Sequence, residues 1–472
     1  LKILFLAAEA TPLVKVGGLA DVAGELPREL AHSGLDVRTA VPLHSTIDRS
    51  KYPLDELCRF PVARAGSNPE AIVYSLKLED NQFWLLDGEP VRAVDGVYGQ
   101  PDQDGEKYAF WSKAALKACE ACDWQPDILH ANDWHAAAAV NLLDCWRKQA
   151  EFWSHSRSLL TIHNLAYMGS QSGRAAYAVP AVRHPALPSW AEELPLPNGI
   201  AAADWLSTVS PSYAREIQTP EYGAGLEDLL GSRADRLTGI MNGIDDMNWD
   251  PSSDPALAHT YAIETLALRS RNKGQLQEET GLPAEDIPLI GMITRLDHQK
   301  GVDLALDGLE EISDEAWQFI LLGTGDPALE TLAREFAARH PERARALLKF
   351  DSLAARRLYA GVDMLLIPSR YEPCGLAQLI GMRYGAVPVV RGTGGLKDSV
   401  LDVDRNRQGT GFVFEPLAVD SLVKAIRRAL QAYRDEARWR SIQEMGMRQD
   451  HSWVKTASAY VELYRSITNA EL

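Results

Sequence analysis

The chain of 472 residues carries 65 acidic and 48 basic side chains, a formal net charge of −17. That balance disfavours broad contact with nucleic acid or an anionic membrane, so an anionic ligand needs a local cationic pocket. With 46% hydrophobic and 24% charged residues the chain reads as globular, and its length suggests two domains.

The first element is an apolar run, Ile3–Ala7, of strand length. It is followed by Pro12 and has no signal-peptide pattern. No apolar run reaches the ~18 residues of a membrane helix, and the expectation is a soluble, cytoplasmic protein. The chain begins at Leu1, so a removed leader stays open. Next comes "LVKVGGLADVAGELPREL", in which Gly17 and Gly18 stand before a helix starting near Leu19. With Lys15 they form an anion or sugar-phosphate cradle; an ordinary tight turn explains the glycines as well. The glycine spacing is that of neither a Walker loop nor a dinucleotide fingerprint.

A strand at Val37–Val41 follows, then Ile72–Leu76 and Phe83–Leu86, which read as an inserted hairpin. "FWSKAALKACEAC" is helical and carries Cys119 and Cys122. The five cysteines are an odd number without a disulfide framework, which fits a reducing compartment, and the C-x-x-C reads as packing before metal or redox work. Strands at Ile128–His130 and Leu159–Ile162 lead into "HANDWHAA" and "TIHNLAYMG". His130 and His135 are five apart at a strand–helix junction, not the i, i+4 of a helical zinc pair. No metal site is expected. His163, at a strand end, reads as a neutral donor to a sugar hydroxyl or carbonyl. Residues 169–199 contain five prolines and no long periodic pattern. A strand at Leu206–Val209 closes the first half.

The turn-rich "MNGIDDMNWDPSSDP" marks a domain boundary. Strands are expected again at Leu289–Ile293, Phe319–Leu322, Met364–Ile367 and Val387–Val390. Each feeds a loop rich in Gly or charge: "TRLDHQKG", "LLGTGDP", "SRYEPCGL" and "RGTGGLKD". Arg295 and Lys300 can reach a diphosphate across one loop, Arg as a planar fork and Lys as a point charge. Gly323 lies in a turn that either admits a nucleotide or lets Asp326 cap the next helix. Glu372 precedes a helix pattern beginning near Gly375, with Pro373 suited to its first turn. The amides of Cys374, Gly375 and Leu376 then point outward to an anion, with Thr393 and Gly394 completing the cradle. In the last segment Ala457, Tyr460, Val461 and Tyr464 form one face of an amphipathic helix. Alternating short strands and helices give an α/β chain. The domains read as 1–240, 241–453 and a helix at 454–472 that packs back on the first.

Together these strings resemble the bacterial glycogen synthases and plant starch synthases. "KVGGLADV", "HANDWHAA", "TIHNLAY", "TVSPSYAREI", "NGID", "RNKGQLQ", "TRLDHQKG", "LLGTGDP", "PSRYEPCGLAQL" and "RGTGGLKDSV" come in family order over nearly the whole chain. The resemblance implies a GT-B fold, two Rossmann-like doubly wound domains facing an interdomain cleft. It implies retaining, metal-independent transfer of glucose from ADP-glucose to the 4-hydroxyl at the non-reducing end of an α-1,4-glucan. The location it implies is the cytoplasm, or the plastid stroma for a plant source. By the same resemblance Glu372, Arg295, Lys300 and His163 are catalytic. Lys15, Gly18, Asn242, Gly323, Phe350, Cys374, Gly375, Leu376, Thr393 and Gly394 contact the donor, and Asp21, Asp133 and Tyr98 belong to the acceptor side or the cleft. Whether Glu372 stabilises, orients or attacks stays open. Two departures stand out: residues 169–199 lose the family pattern, and Ala377 follows "CGL" where the family has Thr or Asn. A small-acceptor glucosyltransferase and a non-catalytic glucan-binding relative are the competing readings.

Overall fold

The computed structural model describes residues 1–469; the last three residues of the expected 454–472 helix lie outside the described residues. The chain divides into two compact units, Leu1–Gly243 with the segment from Trp453 on, and Ile244–Ser452. Among the described residues no helix is long and apolar enough to cross a membrane.

In the first unit the strands are β1 (Lys2–Leu6), β2 (Asp36–Pro42), β3 (Asp55–Pro61), β4 (Glu70–Leu78), β5 (Asn81–Gly88), β6 (Ile128–Asn132), β7 (Arg157–Ile162), β8 (Trp205–Thr208) and β9 (Leu237–Gly239). They form one sheet in the order β3-β4-β5-β2-β1-β6-β7-β8-β9. The expected inserted hairpin is corrected here. β4 and β5 do pair antiparallel, but β5 also pairs in parallel with β2, so the hairpin continues the main sheet. β5 is buried along most of its length, which an exposed insertion would not be. The helix Trp453–Asn469 packs on the helix Gly18–His32, and the Tyr464 hydroxyl lies 2.7 Å from His130 Nδ1.

The second unit holds β10 (Leu289–Ile293), β11 (Gln318–Leu322), β12 (Ala344–Leu347), β13 (Met364–Ile367), β14 (Val387–Arg391) and β15 (Phe412–Phe414). All pairs are parallel, in the order β12-β11-β10-β13-β14-β15. Helices cover both faces, so the strands read as unbroken apolar runs. Alternate residues feed two cores. Ile290, Met292, Phe319, Leu321, Met364 and Leu366 fill one, and Leu289, Ile320, Leu322 and Leu365 the other.

Each sheet has one place where the winding reverses. From β10 the chain moves outward to β11 and β12, then returns to β13 and runs the other way. β1 and β6 play the same part in the first sheet. Loops leaving two such neighbours turn apart and open a crevice at their carboxyl ends, where doubly wound sheets bind ligands.

Candidate active site

The crevice of the second unit lies beyond β10 and β13. It contains a cavity of about 190 Å³ whose lining includes Thr294, Arg295, Lys300, Ser369, Glu372 and Ala377. Local chemistry aims these side chains. The Asp297 side chain accepts from the Lys300 amide at 3.2 Å and caps one tight turn, His298–Lys300. Gly301 then takes φ +67°, and a Cβ there would lie 2.4 Å from the Pro368 carbonyl oxygen. Only glycine lets the chain pass so close in that conformation. The result is that Lys300 Nζ donates to both Glu372 oxygens, at 2.9 and 2.7 Å. Ser369 Oγ adds a third donor to Glu372 at 2.9 Å. Glu372 is 6% exposed. Burying a polar group costs stability unless it is hydrogen-bonded, and these three contacts meet that need. Arg295, in contrast, is largely exposed, with its Nε 2.6 Å from Asp297. The loops are also stitched to each other: Arg370 forms a fork on Asp303 at 2.9 and 2.7 Å, and the Arg370 amide donates to the Gln299 carbonyl at 2.7 Å.

The expected helix start near Gly375 is corrected. The helix runs Ala377–Arg383, and Gly375 sits at φ +74°, outside helical geometry. Pro373 therefore lies in an irregular turn, not in a first helical turn. The amides of Cys374, Gly375 and Leu376 belong to that turn, ahead of the first helical residue. Gln378 holds the turn by donating to the carbonyls of Cys374 and Gly375, at 3.1 and 2.9 Å. Gly394 and Gly395 also pass close to the Glu372 backbone. The Gly395 amide donates to the Glu372 carbonyl at 3.0 Å, and a Cβ on Gly394 would lie 2.1 Å from that same oxygen. This glycine turn buttresses the Glu372 backbone from behind. Gly323 does the same for the Arg295 loop, since its Cβ would lie 1.8 Å from the Thr294 carbonyl oxygen. Asp326 caps the next helix through the amides of Ala328 and Leu329. Phe350, just past β12, is 87% exposed and Cys374 is buried.

In the first unit, part of the Lys15–Gly18 loop is engaged within the chain itself. Glu9, three residues past the end of β1, takes the Val16 amide and lies 3.0 Å from the Gly17 nitrogen through both oxygens. Lys15 is bonded to Asp21 at 2.7 and 2.8 Å. Burial is the main cause raising the Glu9 pKa, with the two amides opposing it. Gly18 opens the helix into free space: a Cβ there would meet nothing.

At the winding reversal of the first sheet, Asp133 follows β6 with φ +55°, a conformation that Asp tolerates better than most residues. Its Oδ1 accepts from the His163 amide at 2.7 Å. His163 Nε2 lies 2.9 Å from Asn132 Oδ1, while the Asn132 amide group donates to the Leu6 carbonyl at 2.9 Å. Asn132 therefore presents only its oxygen to the ring. Burial pushes His163 down to about 4, so the ring is neutral near pH 7 and its one N–H is spent on Asn132. In this arrangement the ring N–H points to Asn132 and Nδ1 is left as the acceptor nitrogen. Tyr98 lies beside His135, ring centroids 5.6 Å apart, and its neighbour Val97 is held by the Tyr108 hydroxyl at 2.8 Å. Asn242 is buried, one residue from the end of the first unit. His130 is saturated in the core by Tyr464 and by Thr161 Oγ1 at 2.6 Å. Among the described residues no group of three or more His, Cys, Asp or Glu side chains is arranged to hold a metal ion.

Burial raises Asp133 from the ordinary 3.8 to about 7; the His163 and Asn164 amides oppose this and the Glu9 charge adds to it. The folded unit thus holds an extra proton between pH ~4 and ~7, and this contribution to stability falls as pH rises through that window. His163 acts oppositely. Its pKa drops from 6.5 to about 4, so its contribution grows with pH between those values. Asp133→Asn removes only the first effect. Its unfolding free energy, measured by denaturant titration at several pH values, should climb more steeply from pH ~4 to ~7 than that of the unmodified chain. Equal slopes would show that Asp133 is not protonated in the folded unit.

Sequence reasoning missed Glu9, Asn132, Ser369 and Gln378. Glu9 alone left a signal, a carboxylate shortly after a buried strand.

Comparison with known proteins bears on both units. The family model "Starch synthase catalytic domain" matches residues 2–232, and "Glycosyl transferases group 1" matches residues 275–444. A glycogen synthase of Desulforudis audaxviator is 40% identical, covering 98% of this chain and 96% of its own. One from Anaeromyxobacter dehalogenans strain 2CP-C is 41% identical, covering 99% and 100%. Among solved structures, the catalytic domain of starch synthase IV from Arabidopsis thaliana, bound to ADP and acarbose, superposes with a TM-score of 0.89 at 31% identity over all of both chains. A sucrose-phosphate synthase from Thermosynechococcus elongatus, TM-score 0.64 at 20% identity over all of both chains, shares the fold alone. The fold is the GT-B class of glycosyltransferases.

Proposed function

We propose, for a chain that belongs to the glycogen synthase family, that its glucosyl transfer takes ADP-glucose as donor and extends the non-reducing end of an α-1,4-glucan at the 4-hydroxyl, with retention at C1. One observation carries this reading. At the switch point of the second sheet, Lys300, Arg295 and a buried Glu372 converge on one cavity.

When the bond from C1 to the diphosphate breaks, negative charge grows on the leaving oxygen and positive charge on the sugar ring. Lys300 is the point charge for the phosphate, and Arg295 the exposed fork beside it. Glu372 lies on the sugar side, where its carboxylate stabilises positive charge and orients hydroxyls. In a front-face path the leaving phosphate oxygen accepts the proton of the acceptor 4-hydroxyl as the new C1–O bond forms. No side chain need then serve as base, which suits a site whose carboxylate already accepts from Lys300 and Ser369. His163, with one ring nitrogen open as acceptor, takes a sugar hydroxyl, and Asp133 fixes the backbone from which it projects. We assign the leaving-group charge to cationic side chains and invoke no metal. Five free cysteines fit a cytoplasmic setting.

The test is incubation with ADP-, UDP- or GDP-glucose plus glycogen, maltose or no acceptor, reading nucleoside diphosphate release and product length. The expected result is ADP release that depends on glycogen, with lengthened chains. Consumption of donor with maltose only would favour a small-acceptor enzyme. If no donor is consumed with any glucan, the synthase reading fails.

A further inference from the structure

The C-x-x-C at Cys119 and Cys122 has a third thiol beside it that sequence spacing cannot reveal. Cys58 on β3 places its Sγ 3.7 Å from Cys122 Sγ. The two residues are 64 apart in sequence, and all five cysteines are free thiols. Cys58 and Cys122 are both partly exposed, whereas Cys119 is fully buried one turn back in the helix Pro101–Ala121 and donates to the Ala115 carbonyl at 3.5 Å.

We propose that Cys58 and Cys122 are a modification site: a dithiol that peroxide converts to a reversible disulfide, stapling the sheet edge to the helix end. Bonded sulfurs lie ~2.05 Å apart, so the pair must close by about 1.7 Å. Both backbones are placed to give that much. β3 is the outermost strand and is bonded on one side only. Its register against β4 shifts between Glu56 and Cys58, a local irregularity at the residue concerned. Cys122 is the cap residue just past the last helical turn. Cys119 is unsuited to the same partner, because its sulfur is held inside the helix packing and closed to solvent.

The chemistry balances with hydrogen peroxide as the oxidant. The Cys122 thiolate attacks one peroxide oxygen, the O–O bond breaks, and the released hydroxide leaves as water with the thiol proton. The Cys58 sulfur then attacks the Cys122 sulfenic acid. The S–S bond forms, the S–O bond breaks, and a second water carries off the Cys58 proton. Two thiols lose two electrons and two protons, and one peroxide becomes two waters. Burial and the neighbouring Cys122 push the Cys58 thiol up to about 12, which disfavours Cys58 as the thiolate that attacks peroxide, so the first step is assigned to Cys122.

The experiment treats the intact chain with hydrogen peroxide, unfolds it in N-ethylmaleimide, and maps peptides by mass spectrometry. Expected is a Cys58–Cys122 linked peptide, with the alkylatable thiols falling from five to three and returning after dithiothreitol. Cys119→Ser should keep the link. Cys58→Ser should abolish it and leave Cys122 as a sulfenic acid trapped by dimedone. The linked form should melt several degrees higher, because closing a long loop confines the unfolded chain. A Cys119–Cys122 link, continued alkylation of Cys58 and Cys122, or an equal yield of the link from urea-unfolded protein would each overturn the proposal. An unchanged melting point in the linked form would overturn its role as a staple.

Discussion

Lys300→Met should lower kcat on ADP-glucose about 10²–10³-fold, the usual cost of removing one placed stabiliser of transition-state charge. The side chain meets Glu372 through both oxygens, and that carboxylate is 6% exposed. Removing the cation alone therefore has a second consequence. It leaves a buried carboxylate with Ser369 as its remaining side-chain donor, and breaking a buried pair this way typically costs ~3–5 kcal/mol of stability. The two effects separate in the double variant Lys300→Met with Glu372→Gln. Neutral Gln removes the uncompensated charge, so the thermal midpoint should recover while the rate does not. Arg295→Ala is the cleaner single variant. Its side chain is largely exposed, so stability should move by no more than ~0.5 kcal/mol while kcat falls steeply. Near-normal rates in Lys300→Met and Arg295→Ala, with donor saturating, would remove both from the leaving-group role. Comparing Glu372→Gln with Glu372→Ala then asks whether the carboxylate's charge or its shape matters to the sugar.

The sheets were legible because parallel strands buried on both faces read as short apolar runs, and Met364–Ile367 falls on its strand to the residue. β9 and β15 escaped because three residues leave no pattern to count, and β12 because its ARAL run is interrupted by Arg345 and only half-buried. β3 escaped for another reason: as an edge strand it is mostly exposed and its composition is polar. Site chemistry was legible as residue types and not as partners. Lys15 and the glycine pair look like an anion cradle in one dimension; in the fold Glu9 takes the Val16 and Gly17 amides and Asp21 takes Lys15. His163 looks like a free donor until Asn132, fixed by the Leu6 carbonyl, accepts the ring's N–H. Glu372 looked like the companion of a helix start because Pro373 suits one. The left-handed Gly375 moves that start two residues on and turns the segment into a loop held by Gln378 and Gly395. In each case the deciding partner is distant in sequence or is set by one backbone angle.

Gly323→Ala should be among the most damaging single-methyl changes in the chain. A Cβ at Gly323 would lie 1.8 Å from the Thr294 carbonyl oxygen, and one at Gly395 2.1 Å from that of Cys374. In both cases the obstacle is backbone, not the tip of a mobile side chain, so relief requires two loops to separate. These loops are also cross-bonded. The Thr294 amide donates to the Leu322 carbonyl and the Leu296 amide to the Thr324 carbonyl, both at 3.0 Å. Separation therefore forfeits hydrogen bonds as well as packing. A cost of about 4 kcal/mol or more follows, at the severe end for point mutations. For a unit of this size that lowers the thermal midpoint by roughly 10 °C. Gly274→Ala is the control. Gly274 lies inside the helix Arg269–Thr280 and a Cβ there meets nothing, so alanine should stabilise by ~0.5–1 kcal/mol. The comparison distinguishes glycine kept for backbone approach from glycine that is merely tolerated. Should Gly323→Ala melt within about 2 °C of the unmodified chain, the close passage of the Arg295 loop over the Gly323 turn is not what holds the site. If it melts low yet residual folded protein keeps full activity, the glycine turn supports the unit's stability without setting the position of Arg295.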